Sequence, residues 1–98
     1  MEFEWDISKE LINIRKHGVT FSEAVESFFD QKGVQLVDAK HSLKENRFFW
    51  LGQTSTGRVL TTRFTMRGSK IRIIGSAEWR RFRRLYDERT KARTPEGG

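Results

Sequence analysis

Apolar residues recur with helical spacing in the first third of the chain. The pattern predicts a short strand over 3–5 and a helix that begins at Asp6 or Ser8 and ends at His17, where Gly18 closes it. An amphipathic helix of this kind turns its apolar stripe toward a core. The stripe expected to be buried consists of Ile7, Leu11 and Ile14.

A second helix start lies at 20–23. There Thr20 can accept a hydrogen bond from the amide of Glu23 and Glu23 can reach back, while Val19 and Ala24 are placed as a hydrophobic staple. The helix is expected to end within 30–33, where turn residues follow. Its predicted core residues are Phe21, Val25, Phe28 and Phe29.

From residue 34 onward the pattern changes to the alternation typical of strands. The predicted strands cover 34–37, 47–54, 58–65 and 70–75. Short turns at 55–57 and 67–69 favour antiparallel hairpins, whereas 38–46 is expected to be a polar loop. A last helix is predicted from residue 77 or 78 to 92, because apolar residues recur with helical spacing at Trp79, Phe82 and Tyr86.

These elements predict one α+β domain over 1–92, followed by a flexible tail over 93–98. We expect an antiparallel sheet with the two N-terminal helices and the C-terminal helix on one face. The other face is then the candidate functional surface. Alternation along two strands predicts that Arg63 and Arg72 project from it. Depending on register, they are accompanied by Phe48 and Trp50 or by Phe49 and Leu51.

Composition excludes several classes of protein. The 98 residues suffice for one small core, and no apolar run approaches the roughly 20 residues of a membrane span. Without cysteine there is no disulfide, thiol nucleophile or thiolate zinc site, and the two histidines lie far apart in the sequence. We therefore expect a cytoplasmic protein that uses neither a metal nor another cofactor and does not contact membranes.

The net charge of +6 conceals an asymmetry between the two parts of the chain. Residues 1–46 carry 6 Lys and Arg against 9 Asp and Glu, whereas residues 47–98 carry 13 against 4. A basic face formed by one part of a domain favours a polyanionic partner, either nucleic acid or an acidic protein surface. Cations beside aromatic rings on an open sheet are typical of surfaces that hold single-stranded RNA.

Several segments occur together and in a fixed order: Phe3-Glu4-Trp5-Asp6, Asn13 with the run from Lys16 to Ala24, Arg47-Phe48, Gly57-Arg58-Val59-Leu60 and Ile71-Arg72-Ile73-Ile74. With these segments the chain resembles, over about residues 3–88, the BrnT toxins of bacterial type II toxin-antitoxin systems. The resemblance implies a RelE-like fold and ribonuclease activity. It also implies a partner similar to BrnA, a dimeric DNA-binding antitoxin, with operator DNA bound only through the toxin-antitoxin complex.

Two segments depart from the pattern of that family. Relatives have Thr-Glu-Arg where this chain has Thr65-Met66-Arg67, and their last strand leads into Ser-Ala-Arg where this chain has Gly75-Ser76-Ala77. A carboxylate at position 66 therefore has no catalytic role in this chain.

RNA can be cleaved without a metal when its 2′-hydroxyl attacks the adjacent phosphate, so the protein must supply positioning, proton transfer and cations. Arginine suits the phosphate contact because its planar guanidinium stays protonated. The candidate catalytic residues are Arg63, Arg81, Tyr86, His17 and Glu78. The candidate RNA-binding residues are Arg47, Trp50, Arg72 and Arg80.

Some of these candidates also have a structural interpretation. His17 stands in a last helical turn, where imidazole often contacts terminal carbonyls, and Tyr86 shares the apolar stripe of its helix. Arg63 is the strongest single candidate, because a lone charge within an apolar strand seldom serves stability. His41 falls in the predicted polar loop and is expected to be solvated.

The leading hypothesis is a metal-independent endoribonuclease toxin that cleaves RNA, foremost mRNA, inhibits translation and growth, and is neutralised by its antitoxin. The alternative is a non-catalytic nucleic-acid-binding or regulatory module derived from a toxin. Incubation with RNA in EDTA distinguishes the two, because a binding module gives salt-sensitive binding without fragments.

Overall fold

In a computed structural model, which describes residues 1–93, five strands and three α-helices form an α+β domain. The elements are β1 (Glu2–Trp5), α1 (Ile7–His17), α2 (Phe21–Ser27), β2 (Val34–Val37), a 3₁₀ turn (Ala39–His41), β3 (Arg47–Gln53), β4 (Val59–Arg67), β5 (Lys70–Ala77) and α3 (Arg80–Arg93). Every predicted helix and strand is therefore present, and the α+β class is confirmed. The tail predicted over 93–98 lies, from residue 94 onward, outside the described residues.

The sheet is mixed, which corrects the expectation of an antiparallel sheet. Its strand order is β1-β5-β4-β3-β2, and the neighbours from β2 to β5 pair antiparallel. The first strand instead runs parallel to the last, with Phe3 beside Ile71 and Trp5 beside Ile73. Parallel pairing needs a long connection rather than a tight turn, so no local turn signal reveals it.

Helices lie on both faces of the sheet, which corrects the expectation of a single helical layer. Successive residues of a strand point to opposite faces, so Trp50 and Leu51 belong to different packing clusters. On what we call the α2 face, Phe48, Trp50, Phe64, Ile71 and Ile73 pack against Phe21, Ala24 and Phe28. On the α3 face, Val34, Leu51 and Val59 pack against Phe82 and Tyr86.

The predicted starts of the two N-terminal helices are confirmed, whereas α3 begins at Arg80 rather than at residue 77 or 78. The Asp6 side chain accepts a hydrogen bond from the amide of Ser8 at 2.8 Å, and Gly18 ends α1 with a φ of 65°. Thr20 and Glu23 exchange both hydrogen bonds of a capping box, at 3.0 and 3.1 Å. These local signals fix where the chain enters and leaves its N-terminal helices.

The apolar stripe predicted to bury α1 is instead exposed, with Ile7 68% and Leu11 62% accessible. The buried residue of this helix is Asn13, whose amide donates to the carbonyls of Val19 and Ser76 at 3.0 and 2.8 Å. Its side-chain oxygen also accepts from the Ser76 amide at 3.0 Å. Because β5 extends beyond the end of β1, Asn13 supplies polar partners to a strand edge that β1 leaves open.

Candidate functional site

The part of the α3 face that α3 itself leaves uncovered carries several arginines. The strand registers place Arg47, Thr65 and Arg72 in one row across the sheet, with Arg63 beside Phe49 in the next row. Arg63 and Arg72 therefore project from the same face, as alternation predicted. Of the two predicted registers, the structure has the one in which Phe49 accompanies them.

Two pockets adjoin on this surface. The first, of about 220 Å³, contains Phe49 and Arg63 together with Lys16, His17 and Trp79. The second, of about 470 Å³, is lined mainly by cations. Lys9 and Ile74 line both pockets, so we treat the two as one surface and call it the basic groove. The cations of its second pocket are Lys9, Lys40, Lys44, Arg47, Arg67 and Arg72.

Arg63 lies in the first pocket with an anion on one side and an aromatic ring below. Its Nε is 3.1 Å from a carboxylate oxygen of Asp38, without the alignment of a hydrogen bond, so this contact is mainly electrostatic. The guanidinium carbon is 5.5 Å from the centre of the Phe49 ring. Within residues 1–93 no hydrogen bond occupies the two terminal nitrogens of Arg63, which leaves them available to a phosphate.

Asp38 contacts one residue of each pocket. Its side chain is 4% exposed, and its carboxylate oxygens lie 3.0 and 3.1 Å from Nδ1 of His41 in the second pocket. The hydroxyl of Ser42 donates to the Asp38 carbonyl at 2.7 Å and accepts from the Arg47 amide at 3.0 Å, which holds this turn against β3. One buried carboxylate thus contacts both Arg63 and His41.

His41 is exposed, as predicted, and it also has a partner that the sequence analysis missed. Its side chain is 41% exposed, yet its ring nitrogen is held by a buried carboxylate. The sequence signal that could have revealed this pair is the spacing Asp-x-x-His at the end of a predicted strand, since a tight turn brings residues three apart together.

Two of the other three groove arginines are partly neutralised. Arg72 Nη1 lies 2.8 Å from a carboxylate oxygen of Glu4, and Arg47 Nε lies 3.3 Å from one of Glu45. Within the described part of the chain, no salt bridge engages the remaining cations of the second pocket. The groove therefore keeps an excess of positive charge after its internal pairs are counted.

Two of the sequence-predicted site residues lie in the core instead. Tyr86 is 5% exposed on the α3 face, and its hydroxyl donates to the carboxylate of Asp30. Burial, followed by that hydrogen bond, raises the pKa of Tyr86 above its ordinary value. Trp50 lies on the α2 face, where its indole N–H donates to the Ser27 carbonyl at 2.7 Å and its ring stacks on Phe28. Both side chains therefore have their polar groups engaged within the fold rather than facing the basic groove.

Three further candidates lie outside the groove. The Glu78 carboxylate accepts hydrogen bonds from Nε and Nη2 of Arg58 at 3.0 and 2.8 Å, which commits it to an ion pair. Arg80 and Arg81 are exposed on α3, and the Arg81 guanidinium is 5.0 Å from the ring of Phe82. The candidates that the groove brings together are Arg47, Arg63, Arg72 and His17.

Residues 1–93 contain no group of three or more His, Cys, Asp or Glu side chains placed to hold a metal ion. In the same range no helix has the length and apolar character needed to cross a membrane.

Comparisons with known proteins point to one family. A family model described as "Ribonuclease toxin, BrnT, of type II toxin-antitoxin system" matches residues 5–82. The chain is also similar to the crystal structure of the ribonuclease toxin BrnT from Brucella abortus, with 25% sequence identity and a TM-score of 0.61. That similarity covers 81% of this chain and 96% of the Brucella chain. Comparison with curated proteins gives no match. The range matched by the family model includes every residue of the basic groove.

Proposed function

This chain belongs to the BrnT family of ribonuclease toxins of type II toxin-antitoxin systems, and from this premise we propose that it is a metal-independent endoribonuclease whose RNA site is the basic groove. The observation that carries the proposal is the position of Arg63, a half-buried cation with free terminal nitrogens in a pocket on an uncovered part of the sheet. The 2′-hydroxyl of RNA is an internal nucleophile, so no metal is required for the attack on phosphorus.

The proposed roles follow from the positions of the side chains. Arg63 contacts the scissile phosphate and stabilises the charge that develops on its oxygens. Arg47 and Arg72 contact neighbouring phosphates from the second pocket, and His17 contacts the strand from the first. Trp79, which is 38% exposed, offers a ring on which a base can stack. Single-stranded RNA fits this combination of cations and one accessible ring.

The biological proposal is that the chain cleaves mRNA in the cytoplasm, inhibits translation and arrests growth until an antitoxin covers the basic groove. We propose a partner similar to BrnA, a DNA-binding dimer, through which the complex contacts operator DNA. Membership of a type II toxin-antitoxin family supports a protein antitoxin, and the positive groove suits an acidic segment of such a partner.

The test is incubation of the purified protein with end-labelled RNA in excess EDTA. We expect fragments with the wild type and at least about 100-fold slower cleavage with Arg63→Ala, the usual cost of losing one group that stabilises a transition state. Arg63→Lys keeps a positive charge beside Asp38 but removes the planar guanidinium. Comparison with Arg63→Ala therefore separates the effect of the charge from that of the guanidinium geometry. Arg89→Ala, an exposed change on α3 outside the groove, is the matched control.

Two outcomes would contradict the proposal. Equal cleavage by the wild type and by folded Arg63→Ala protein would place the activity at another site or in a contaminant. Saturable, salt-sensitive RNA binding without fragments would instead support the alternative of a non-catalytic module. Addition of translating ribosomes to the same assay tests the mRNA proposal. We then expect the mRNA that is being translated to be cleaved.

A further inference from the structure

We propose that His41 is the general base of this cleavage and that Asp38 is the residue that positions it. The inference rests on the proposed function, since it assigns a proton acceptor to the same groove. The juxtaposition that carries it is a ring nitrogen of His41, in the second pocket, against the carboxylate of Asp38, which also lies 3.1 Å from Arg63 of the first pocket.

The Asp38 carboxylate fixes which nitrogen of His41 is free. An ionised carboxylate only accepts hydrogen bonds, so Nδ1 of His41 carries the proton that lies between them. In the neutral ring Nε2 is then the unprotonated nitrogen, and within residues 1–93 no hydrogen bond occupies it. The ring is therefore held in the tautomer and orientation that a general base requires.

The support behind Asp38 is that of a fixed positioning group. The carboxylate is 4% exposed, and Ser42 and the backbone of Arg47 hold its turn in place. The same carboxylate lies 3.1 Å from Nε of Arg63, so the proposed base and the proposed phosphate contact share one anchor. By contrast, no described side chain orients the ring of His17, the other histidine of the chain.

In the proposed step, His41 promotes the attack of the 2′-hydroxyl on phosphorus. Nε2 of His41 takes the proton of the 2′-hydroxyl while the 2′-oxygen forms a bond to phosphorus. The bond between phosphorus and the 5′-oxygen breaks, its electron pair leaves with the 5′-oxygen, and that oxygen takes a proton from water in the open groove. The products are a 2′,3′-cyclic phosphate and a 5′-hydroxyl, and the imidazolium returns its proton to solvent.

Other charged groups face the second pocket together with His41. Asp38 is the carboxylate that contacts the ring, and Glu45 is a carboxylate that lines the same pocket. The cations facing the same pocket are Lys9, Lys40, Lys44, Arg47, Arg67 and Arg72. Bound RNA phosphates would neutralise these cations, so the pH test is read from the complex at saturating RNA.

The test compares the rate of cleavage against pH for the wild type, His41→Gln and His17→Gln. We expect the wild-type rate to rise with pH below neutrality and then level off, as for catalysis by a neutral imidazole. In His41→Gln the rate should fall by about 100-fold or more and this rising limb should disappear. His17→Gln should weaken RNA binding, but its cleavage rate should still rise with pH below neutrality.

A second measurement does not depend on the folding of a His41 variant. The chain has two histidines, so the untagged His17→Gln protein retains only His41. Diethylpyrocarbonate should abolish its cleavage, hydroxylamine should restore it, and an RNA with 2′-deoxyribose at the cleavage site should protect it. Asp38→Asn should lower kcat with little change in KM, which a merely structural contribution to RNA binding would not produce.

The outcomes are distinguishable. Absence of cleavage by the wild type would overturn the proposed function itself. Cleavage by the wild type, with an unchanged rate and pH profile in His41→Gln or with no effect of diethylpyrocarbonate on the single-histidine protein, would overturn only the role of His41.

Discussion

The hydroxyl of Tyr86 connects α3 to the turn that follows α2. It donates to the Asp30 carboxylate, which also accepts from the amides of Gln53 and Lys32 at 2.8 and 2.9 Å. Tyr86→Phe keeps the buried ring and removes this hydrogen bond, so we expect the free energy of unfolding to fall by about 1–2 kcal/mol. Urea denaturation measures that loss. RNA cleavage should be unchanged, and its loss in folded protein would restore the catalytic interpretation of Tyr86.

Gly52 permits a close approach between β3 and α2. A Cβ at this position would lie 2.2 Å from the Ser27 carbonyl oxygen, the same atom that accepts the Trp50 indole hydrogen bond. Backbone cannot move aside as a flexible side chain can, so Gly52→Ala should lower the free energy of unfolding by about 1–3 kcal/mol. Gly75→Ala is the matched control, because its Cβ would meet only an ordinary contact of 3.5 Å with Asn13. Equal melting temperatures for the two variants would contradict this reading.

Among the elements, α1 is held to the sheet by polar contacts rather than by its apolar stripe. Asn13→Ala removes three hydrogen bonds and leaves the backbone groups of Ser76 without that partner. We expect a loss of about 2–4 kcal/mol in the free energy of unfolding. Leu11→Ala, on the exposed side of the same helix, should change it by less than about 0.5 kcal/mol. Urea denaturation of both variants measures the difference, and a larger effect at Leu11 would mean that the stripe is covered in solution.

The carboxyl of Glu23 at the start of α2 makes the stability of the fold depend on pH in the acid range. The pKa of Glu23 is lowered, first by the hydrogen bond from the Thr20 amide and further by the charge of Arg58. A carboxyl whose pKa is depressed by folding stabilises the native state above its unfolded pKa, and this contribution is lost as the pH falls through the folded value. As the pH is lowered from neutral to about pH 3, the melting temperature of Glu23→Gln should therefore fall less steeply than that of the wild type. An unchanged slope would contradict a role for this carboxyl.

Structural features that depend on a few neighbouring residues could be predicted from the sequence, whereas features that depend on distant residues could not. The capping box at Thr20 and the hairpin at Gly68 are specified within a few residues, so the sequence revealed them. The burial of α1 was not predictable, because helical periodicity shows that a helix has an apolar side but not what lies against it. The parallel pairing of Phe3 with Ile71 likewise depends on residues far apart in the chain.

At the scale of the whole molecule, the basic groove draws cations from both parts of the chain. Charge asymmetry pointed to residues 47–98, which supply Arg63 and Arg72, and strand alternation correctly placed those two on one face. The acidic part nevertheless contributes Lys9 and Lys44, which only the packing of α1 and the loop after β2 brings to the same surface. The contact of Asp38 with Arg63 could not be predicted for the same reason, because counting charges along the sequence does not show which charged side chains meet in the folded protein.

The dependence of RNA binding on salt tests the groove as one surface. Each phosphate contact with a single strand contributes about −0.7 to the slope of log K against log salt concentration. Lys44→Ala should therefore reduce the magnitude of that slope by about 0.7 in a non-cleavable 2′-deoxy oligonucleotide, whereas Lys91→Ala on α3 should leave it unchanged. Fluorescence anisotropy at several salt concentrations measures both. Equal slopes for the two variants would show that the strand does not cross the second pocket, while the chemistry at Arg63 would stay open to its own test.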